Sequence, residues 1–362
     1  MSYPSPQPAA TLRPPDLHRV ANDGLDAAEP PVAIAPPEAR GILRDEVALL
    51  VSEGVEHHHT EFLDLADYLH PGDLLVVNDS ATLPASLEAH SRLGPITLNL
   101  SARFGPCSWL AEPRWSPASP GPLPLHAGEH LSVAGRPVRL VAPYPAHERL
   151  WFVELDADSA MSACGRPIRY GYVSGEYPLR AYQTVFADAP GSAEMPSAGR
   201  PFSVRALARL ERAGVRLATI TLHTGVSSLE YEANDLSQAP PEPYRVPHAT
   251  ARAIIRARAG GARVLAIGTT VVRALESAFD GTAFDRLSGF TRRMLHPGRP
   301  PRVVDGLLTG FHEPRSSHMA LLVALAGEPT VEDAYREAIR GRYLWHEFGD
   351  VHLILPGSLR RR

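Results

Sequence analysis

Two periods of apolar and polar residues follow one another along this chain, and the places where one gives way to the other divide it. In residues 42–62, ILRDEVALLVSEGVEHHHTEF, the apolar runs break at Glu53-Gly54, which predicts two short strands around a turn. Next, FLDLADYLHPGDLLVVNDSATLPASL reads as a helical turn that stops before Pro71-Gly72, then an apolar strand at 73–77 ending in Asn78-Asp79-Ser80. From about 83 to 165 the pattern changes to short alternating runs (ITLNLSA, HLSVAG, VRLVAP, LWFVEL) separated by Pro, Gly and Ser clusters. Such runs predict a compact all-β insert, a small barrel or a sandwich.

Beyond the insert, helix and strand alternate. Ser203 can cap a helix with Val204, Leu207 and Leu210 on one face and Arg205, Arg209 and Arg212 on the other; Gly214 ends it, and a strand follows at 215–222. The order recurs as a helix at 252–258, Gly260-Gly261, and the stretch RVLAIGTTVVRALES at 263–277. There a branched apolar strand at 263–267 gives way at Gly268-Thr269-Thr270 to helical spacing (Val271, Leu275, Phe279). A third strand at 303–308 precedes the loop TGFHEPRSS and a helix at 319–326 that is apolar nearly all round, hence buried. Thr330 with Asp333 predicts the start of a last helix, and 351–355 a closing strand. The sequence therefore predicts an α/β fold with a largely parallel sheet and an inserted small all-β, barrel-like domain. The expected boundaries are a Pro-rich tail at 1–30, an α/β domain from 31–82 and 166–362, and the β domain at 83–165.

Composition narrows the chemistry. With 44% apolar and 21% charged residues, the chain is of ordinary globular type; no run approaches eighteen apolar residues, and a cytoplasmic protein is expected. All 36 basic residues are arginine, which removes P-loop lysines, lysine Schiff bases and pyridoxal phosphate attachment together. Cys107 and Cys164 fit no zinc knuckle or disulfide framework, and the net charge of −4 argues against bulk coating of nucleic acid. Adjacent histidines in a strand point to opposite faces, so His57, His58 and His59 cannot share one metal ion.

Several predicted strands end in polar groups that an open sheet would gather at one edge: Asn78-Asp79, His223-Thr224-Gly225, Gly268-Thr269-Thr270, and Thr309-Gly310-Phe311-His312. A strand, a small-residue turn and a helix leave free backbone N–H groups suited to an anion, though one glycine is not a dinucleotide fingerprint. His223 and His312 are candidate proton-transfer groups, since histidine titrates near pH ~6.5. Arg273 and Glu276 lie three apart on one helix face, as a surface pair or as a clamp on a ligand. Ser316, beside Arg315, can cap the buried helix and with that guanidinium seat a carboxylate or phosphate. There is no H-E-x-x-H and no G-x-S-x-G, which excludes the metalloprotease and lipase readings.

These stretches resemble the queuosine-pathway S-adenosylmethionine:tRNA ribosyltransferase-isomerases. The resemblance rests on HPGDLLVVNDSATLPASL, RAYQTVFADAPGSAEMPSAGRPFS, TLHTG, YRVP, RVLAIGTTVVRALES, VVDGLLTGFHEPRSS and FGDVHLIL, in family order over roughly residues 38–356. It implies an α/β domain carrying a small β domain. The implied activity moves and isomerises the ribosyl part of S-adenosylmethionine, the cosubstrate, onto a 7-aminomethyl-7-deazaguanine in a tRNA anticodon. Adenine and methionine are released and no metal is used. The resemblance further implies His312 as acid/base, with Asp305 or Asp350 orienting it or the ribose. Gly268, Thr269 and Thr270 with Arg273 would hold the cosubstrate, and Tyr182, Gln183, Ser197 and Gly199 would lie beside the base being modified. Asn78, Asp79, His223, Glu276, Arg315 and Ser316 complete the expected binding set, in a protein expected to be monomeric.

The chain departs from the family pattern in loops expected to face a ligand. Arg200-Pro201 stand where the pattern has L-H, and Ser227, Ser228 and Leu229 replace G-T-F. QAPPEPY keeps only Glu242 of an H-x-M-H-x-E segment, Gly310 replaces an asparagine, and Phe348 a tyrosine. Two alternatives stay open on these grounds. One is a sister enzyme that splits S-adenosylmethionine for a non-tRNA acceptor; the other is a non-catalytic nucleotide- or RNA-binding relative. For tRNA the available arginines are Arg205, Arg209, Arg212, Arg292, Arg293, Arg299, Arg302 and Arg360 to Arg362, and an RNA face requires several of them together.

Overall fold

The structure is a computed structural model describing residues 30–145, 147–226, 240–313 and 316–355. The tail expected at 1–30 lies almost wholly outside the described residues, as do Ser227, Ser228, Leu229, Arg315 and the terminal arginines.

The strands in chain order are β1 (Ala48–Glu53), β2 (Glu56–Glu61), β3 (Leu74–Asn78), β4 (Ser80–Thr82), β5 (Ser86–Ser91), β6 (Gly94–Arg103), β7 (Ser108–Arg114), β8 (His130–Val133) and β9 (Arg136–Tyr144). They continue with β10 (His147–Glu154), β11 (Ala189–Ser192), β12 (Arg216–Leu222), β13 (Glu242–Arg245), β14 (Val264–Ile267), β15 (Ser288–Thr291), β16 (Gly306–Gly310) and β17 (Val351–Leu355). The helices are α1 (Ala157–Cys164), α2 (Val204–Arg212), α3 (His248–Ala259), α4 (Thr269–Ala278), α5 (Ser317–Ala326) and α6 (Glu328–Arg340).

Among the described residues, nine strands form one sheet in the order β15-β13-β12-β3-β14-β16-β17-β1-β2. Its centre is β3, whose Leu74, Leu75 and Val76 pair in parallel with β12 on one side and β14 on the other. A strand in that position is covered on both faces, which is why it reads as an unbroken apolar run. Leu74 and Val76 face a core shared with α3, α4, α5 and α6, while Leu75 and Val77 face the core under α2 and the 3-10 helix at Phe62–Tyr68.

The α/β class with an inserted barrel is as read from the sequence, but the sheet is mixed rather than largely parallel. β17 runs antiparallel to β16 while pairing in parallel with β1. Two helices, α5 and α6, separate β16 from β17; an even number of crossings returns the chain to the end where β16 finished. The outer strands β2, β13 and β15 also pair antiparallel. β13 and β15 are short, Pro- and Gly-bearing pieces without an apolar run, so no periodicity announced them.

Strands β5 to β10 close into a barrel in the order β10-β7-β6-β5-β8-β9, filled by residues such as Leu87, Leu98, Trp109, Leu140 and Val153. Glu112 and Arg114, on the face of β7 opposite to Trp109, are buried together with Arg149, Glu112 accepting from Arg114 Nη1 (2.9 Å) and pairing with Arg149 Nη2 (2.8 Å). The barrel is followed by α1, capped by Asp156, whose side chain accepts from the Ser159 N–H; no helix was expected there. The chain leaves for the barrel along β4 and returns along β11, and these two strands pair in parallel.

Two helix readings need correction. Ser203 does cap α2, accepting from the Ala206 N–H, but Val204 is 76% exposed, and Ala206 and Leu210 are the residues that pack inward. α6 starts two residues before Thr330, with Gly327 (φ 88°) as cap and Pro329 in its first turn, a position that proline tolerates. Among the described residues no helix is long and apolar enough to cross a membrane.

Candidate active site

Gly268 ends β14 and caps α4 with φ 93°, a backbone conformation that glycine adopts without strain. Its N–H donates to Leu308 O (2.8 Å), tying the turn to the adjacent strand β16. Because the cap has no side chain, the first-turn N–H groups of α4 are left facing a cavity at the carboxyl ends of β14 and β16. Barrel residues Ser101, Ala102 and His147 close one side of this cavity, the segment 194–198 another, and His312, His346 and Glu347 a third. The barrel is thus one wall of the site. Ser101 Oγ accepts from the Val226 N–H (3.1 Å), fixing that wall against the loop after β12.

Of the residues expected at the site, Ser197, Gly268, Thr269, Thr270, Arg273, His312 and Ser316 line the cavity. Arg273 donates through Nε to Arg293 O (3.2 Å) and pairs through Nη2 with Glu242 (2.5 Å), so its partner is Glu242 rather than Glu276. Glu242 also accepts from the Gly225 N–H (3.2 Å). Ser316 caps α5, accepting from Met319 N–H (3.3 Å) and donating to Glu313 O (2.8 Å).

A second group stands just behind the wall. Asn78 clips β3 to β12: Nδ2 donates to Leu222 O (2.8 Å), and Oδ1 accepts from Leu222 N–H (3.0 Å) and Ser80 N–H (3.1 Å). Asp79 accepts from Thr221 Oγ1 (2.7 Å). His223 shares a hydrogen bond with Ser80 Oγ (2.7 Å) and lies flat against Gly191, where a Cβ would come within 2.6 Å of the ring. Gly199 packs on Thr184 and Phe186.

The rest lie elsewhere. Asp305 accepts from the Val264 N–H (2.8 Å) at the amino ends of β14 and β16, a strand length from the cavity. Asp350 accepts from Ala48 N–H (2.9 Å) and Leu344 N–H (2.7 Å), anchoring the turn before β17 to the start of β1. Tyr182 is buried against Phe348, and Gln183 exchanges two bonds with the Thr82 backbone (3.0 and 2.8 Å) at the exit to the barrel. Glu276, fully buried, accepts from the N–H groups of Arg302 (2.6 Å) and Val303 (2.7 Å) and so holds the approach to β16.

The sequence reading missed a polar cluster in the third wall. His312 stacks on His318 with ring centroids 3.9 Å apart, and His346 stacks on Tyr172 at 4.5 Å. Burial first, then the neighbouring His318 and His346, hold the His312 imidazole well below its usual range, so it is neutral at pH 7. Burial likewise lowers His346. Glu347 goes the other way: burial raises its carboxyl to about 8, against the opposing effects of a hydrogen bond from Tyr172 and the charge of Arg200. Nothing in a single H-E pair before Phe348 signals this; it takes the cavity to make it visible.

Two departures from the family pattern prove structural. Arg200 turns away from the cavity, pairing with Glu38 (2.7 Å), donating to Ala181 O (2.9 Å) and stacking over the Phe348 ring. Phe348 is buried against Tyr177 and Tyr182. Gly310 lines the cavity, as do Pro240 and Pro241 of the altered segment before Tyr244.

Comparison with known proteins gives concordant results. The family model described as queuosine biosynthesis protein matches residues 26–354. The S-adenosylmethionine:tRNA ribosyltransferase-isomerase of Gloeobacter violaceus is 36% identical over 354 residues, 95% of this chain and 99% of that one. The protein of the same name from Rubrobacter xylanophilus is 38% identical over 346 residues, covering 93% and 98%. Among solved structures, the crystal structure of the S-adenosylmethionine tRNA ribosyltransferase of Thermotoga maritima is similar with a TM-score of 0.51 and 27% identity, over 91% of this chain and 99% of that one.

Proposed function

The chain belongs to the queuosine biosynthesis protein family, and from that premise we propose that it is an S-adenosylmethionine:tRNA ribosyltransferase-isomerase. In this reading the ribosyl part of S-adenosylmethionine passes to the aminomethyl group of a 7-deazaguanine in a tRNA anticodon and is rearranged there, with adenine and methionine released. The observation that carries the reading at the level of residues is a neutral imidazole, His312, in the same cavity as the open N-terminus of α4.

Each end of the cosubstrate has a matching group. The methionine carboxylate fits the first-turn N–H groups after Gly268, where the helix dipole favours negative charge. Its ammonium fits Glu242, which Arg273 holds in place. His312, kept neutral by burial, takes the proton from the carbon beside the sulfonium, a carbon whose hydrogens that charge acidifies. Ser197 and the barrel wall stand where the acceptor base would enter, and the exposed Arg292 follows β15 two residues before cavity-lining Met294, with the exposed Arg299 five residues after it. Arg205 and Arg209 do not contribute to an RNA face in this reading, since Asp45, Asp64 and Asp67 already pair with them.

The test is adenine and methionine release from S-adenosylmethionine, measured with tRNA bearing the aminomethyl-deazaguanine, with the free base, and with neither. Release accompanied by a mass gain on the tRNA is expected. Release with the free base alone would transfer the activity to a small acceptor, and none in any tube would overturn the enzymatic reading.

A further inference from the structure

Glu347 is a carboxyl group that the steps above leave unused, although it lines the same cavity as His312. Its Oε1 is closed off from solvent and has no hydrogen-bond partner among the described residues. Tyr172 donates to the carboxyl group, and Tyr172 is itself stacked on His346, the next residue along the chain, at 4.5 Å. A buried oxygen without a partner costs stability of the fold, on the order of 1–3 kcal/mol, unless a ligand completes it. What would complete a neutral carboxylic acid is a group that accepts from its O–H and donates to its C=O. The amidine-like edge of an aminopurine presents such a pair.

We infer that Glu347 is the general acid that protonates adenine as it leaves the ribosyl group, with the stacked Tyr172 and His346 as the aromatic wall beside the base. The inference rests on the proposed reaction and names the group that would complete it. The glycosidic C–N bond breaks with its electron pair going to the adenine nitrogen, and the sugar ring oxygen meets the electron demand of the carbon left behind. The proton of Glu347 passes to adenine, which departs neutral and leaves Glu347 as a carboxylate. Solvent reprotonates it after adenine has gone.

The surroundings of the two groups separate their roles. His312 is held as a base and Glu347 as an acid at the same pH, because a dry site disfavours the charged form of each. The charged and titratable groups around Glu347 are Tyr172 from the 170–172 segment, Tyr182 behind it, Arg200 from the turn after Ser197–Gly199, Glu194 in another wall of the cavity, His346 beside it and His312 from the end of β16. Arg200 is already neutralised by Glu38, so it does not force Glu347 to ionise.

The experiment measures adenine release from S-adenosylmethionine with modified tRNA across pH 6 to 10, for the wild type, E347Q and Y172F. The wild-type kcat is expected to fall above pH about 8 as the acid form is lost. E347Q should reduce kcat by about 10²-fold or more and abolish that limb, with KM for S-adenosylmethionine changed no more than about 3-fold. Y172F removes a bond that favours the ionised form, so its limb should move to higher pH. E347Q with a wild-type rate, or with the alkaline limb intact, would overturn the assignment. If the wild type releases no adenine at all, the proposed reaction fails instead, and titration with free adenine then reads Glu347 alone. Wild-type affinity should weaken above pH about 8 while that of E347Q stays level, and a flat wild-type profile would overturn the site.

Discussion

Burial keeps His223, His312, His346 and His352 below the ordinary histidine range, with His352 pushed down to about 3. In the unfolded chain each would take up a proton near pH ~6.5. The stability these groups confer is therefore complete above that pH and is lost as pH falls toward their folded values. Each adds up to about 1.4 kcal/mol per pH unit to the slope. Thermal unfolding at a series of pH values should show the melting temperature dropping steeply between pH ~6.5 and ~5; a level profile over that interval would contradict the burial assigned to these rings. Gly191 offers a second check at this scale. A Cβ there would sit 2.6 Å from His223, so G191A must displace the ring and break its bond to Ser80. A loss of about 1–3 kcal/mol in denaturant unfolding is expected, as for other overpacked sites. His312→Asn should lower turnover by about 10²–10⁴-fold while leaving S-adenosylmethionine binding within a few fold, measured by separate rate and binding assays.

At the scale of elements, the barrel carries the most exacting electrostatics. A buried ion group at its strand β7 places one carboxylate, Glu112, between two almost fully buried guanidiniums. E112A would remove the carboxylate that both guanidiniums share, and a cost of about 3–5 kcal/mol is expected, read through Trp109 and Trp151 fluorescence in urea. An unchanged midpoint would mean that water reaches these arginines. The alternating runs of residues 83–165 made such a barrel legible, because one face of each strand had to be apolar. Alternation could not say which polar residues of the other face would be buried as an ion-paired set. The same division holds for β14 and α4. Their switch from branched apolar residues through Gly268 to helical spacing was explicit in the chain, whereas β13 and β15 are held by pairing at the sheet edge and left no periodic trace. The antiparallel entry of β17 was legible in principle, since two helical patterns precede it and an even number of crossings reverses the strand. The spurious start at Thr330 arose because a Thr and an Asp three apart mimic a cap, while the true cap is the positive-φ Gly327.

For the whole molecule, the arginines expected to meet RNA separate once the chain is folded. Arg205 and Arg209 are tied to aspartates over the core under α2, and Arg302 lies beside Glu276 and over the Phe279 ring. Arg292 and Arg299 stay exposed, on either side of cavity-lining Met294 in the chain. R292A/R299A should weaken tRNA binding and reduce the dependence of log K on log salt by about 2, while R205A/R209A should leave that slope unchanged. The reverse result would place the RNA on the opposite side of the sheet.

The sequence by itself determined the fold class, the barrel insert, the turn at Gly268 and the family, because each is written in local period or in contiguous motif. Strand ends that converge in such a sheet pointed to Gly268–Thr270 and His312, the family motifs added Arg273 and Ser197, and all of these line one cavity. Only the tertiary structure decided that Asp305 lies at the far end of the strands, that Asp350 and Glu276 serve the backbone, and that Glu242 faces Arg273. The same holds for the contrast between His312 and Glu347, which lie 35 positions apart in the chain yet share one cavity. Their protonation is set by the solvent each has lost, and exclusion of water is a property of packed surfaces that no stretch of sequence carries alone.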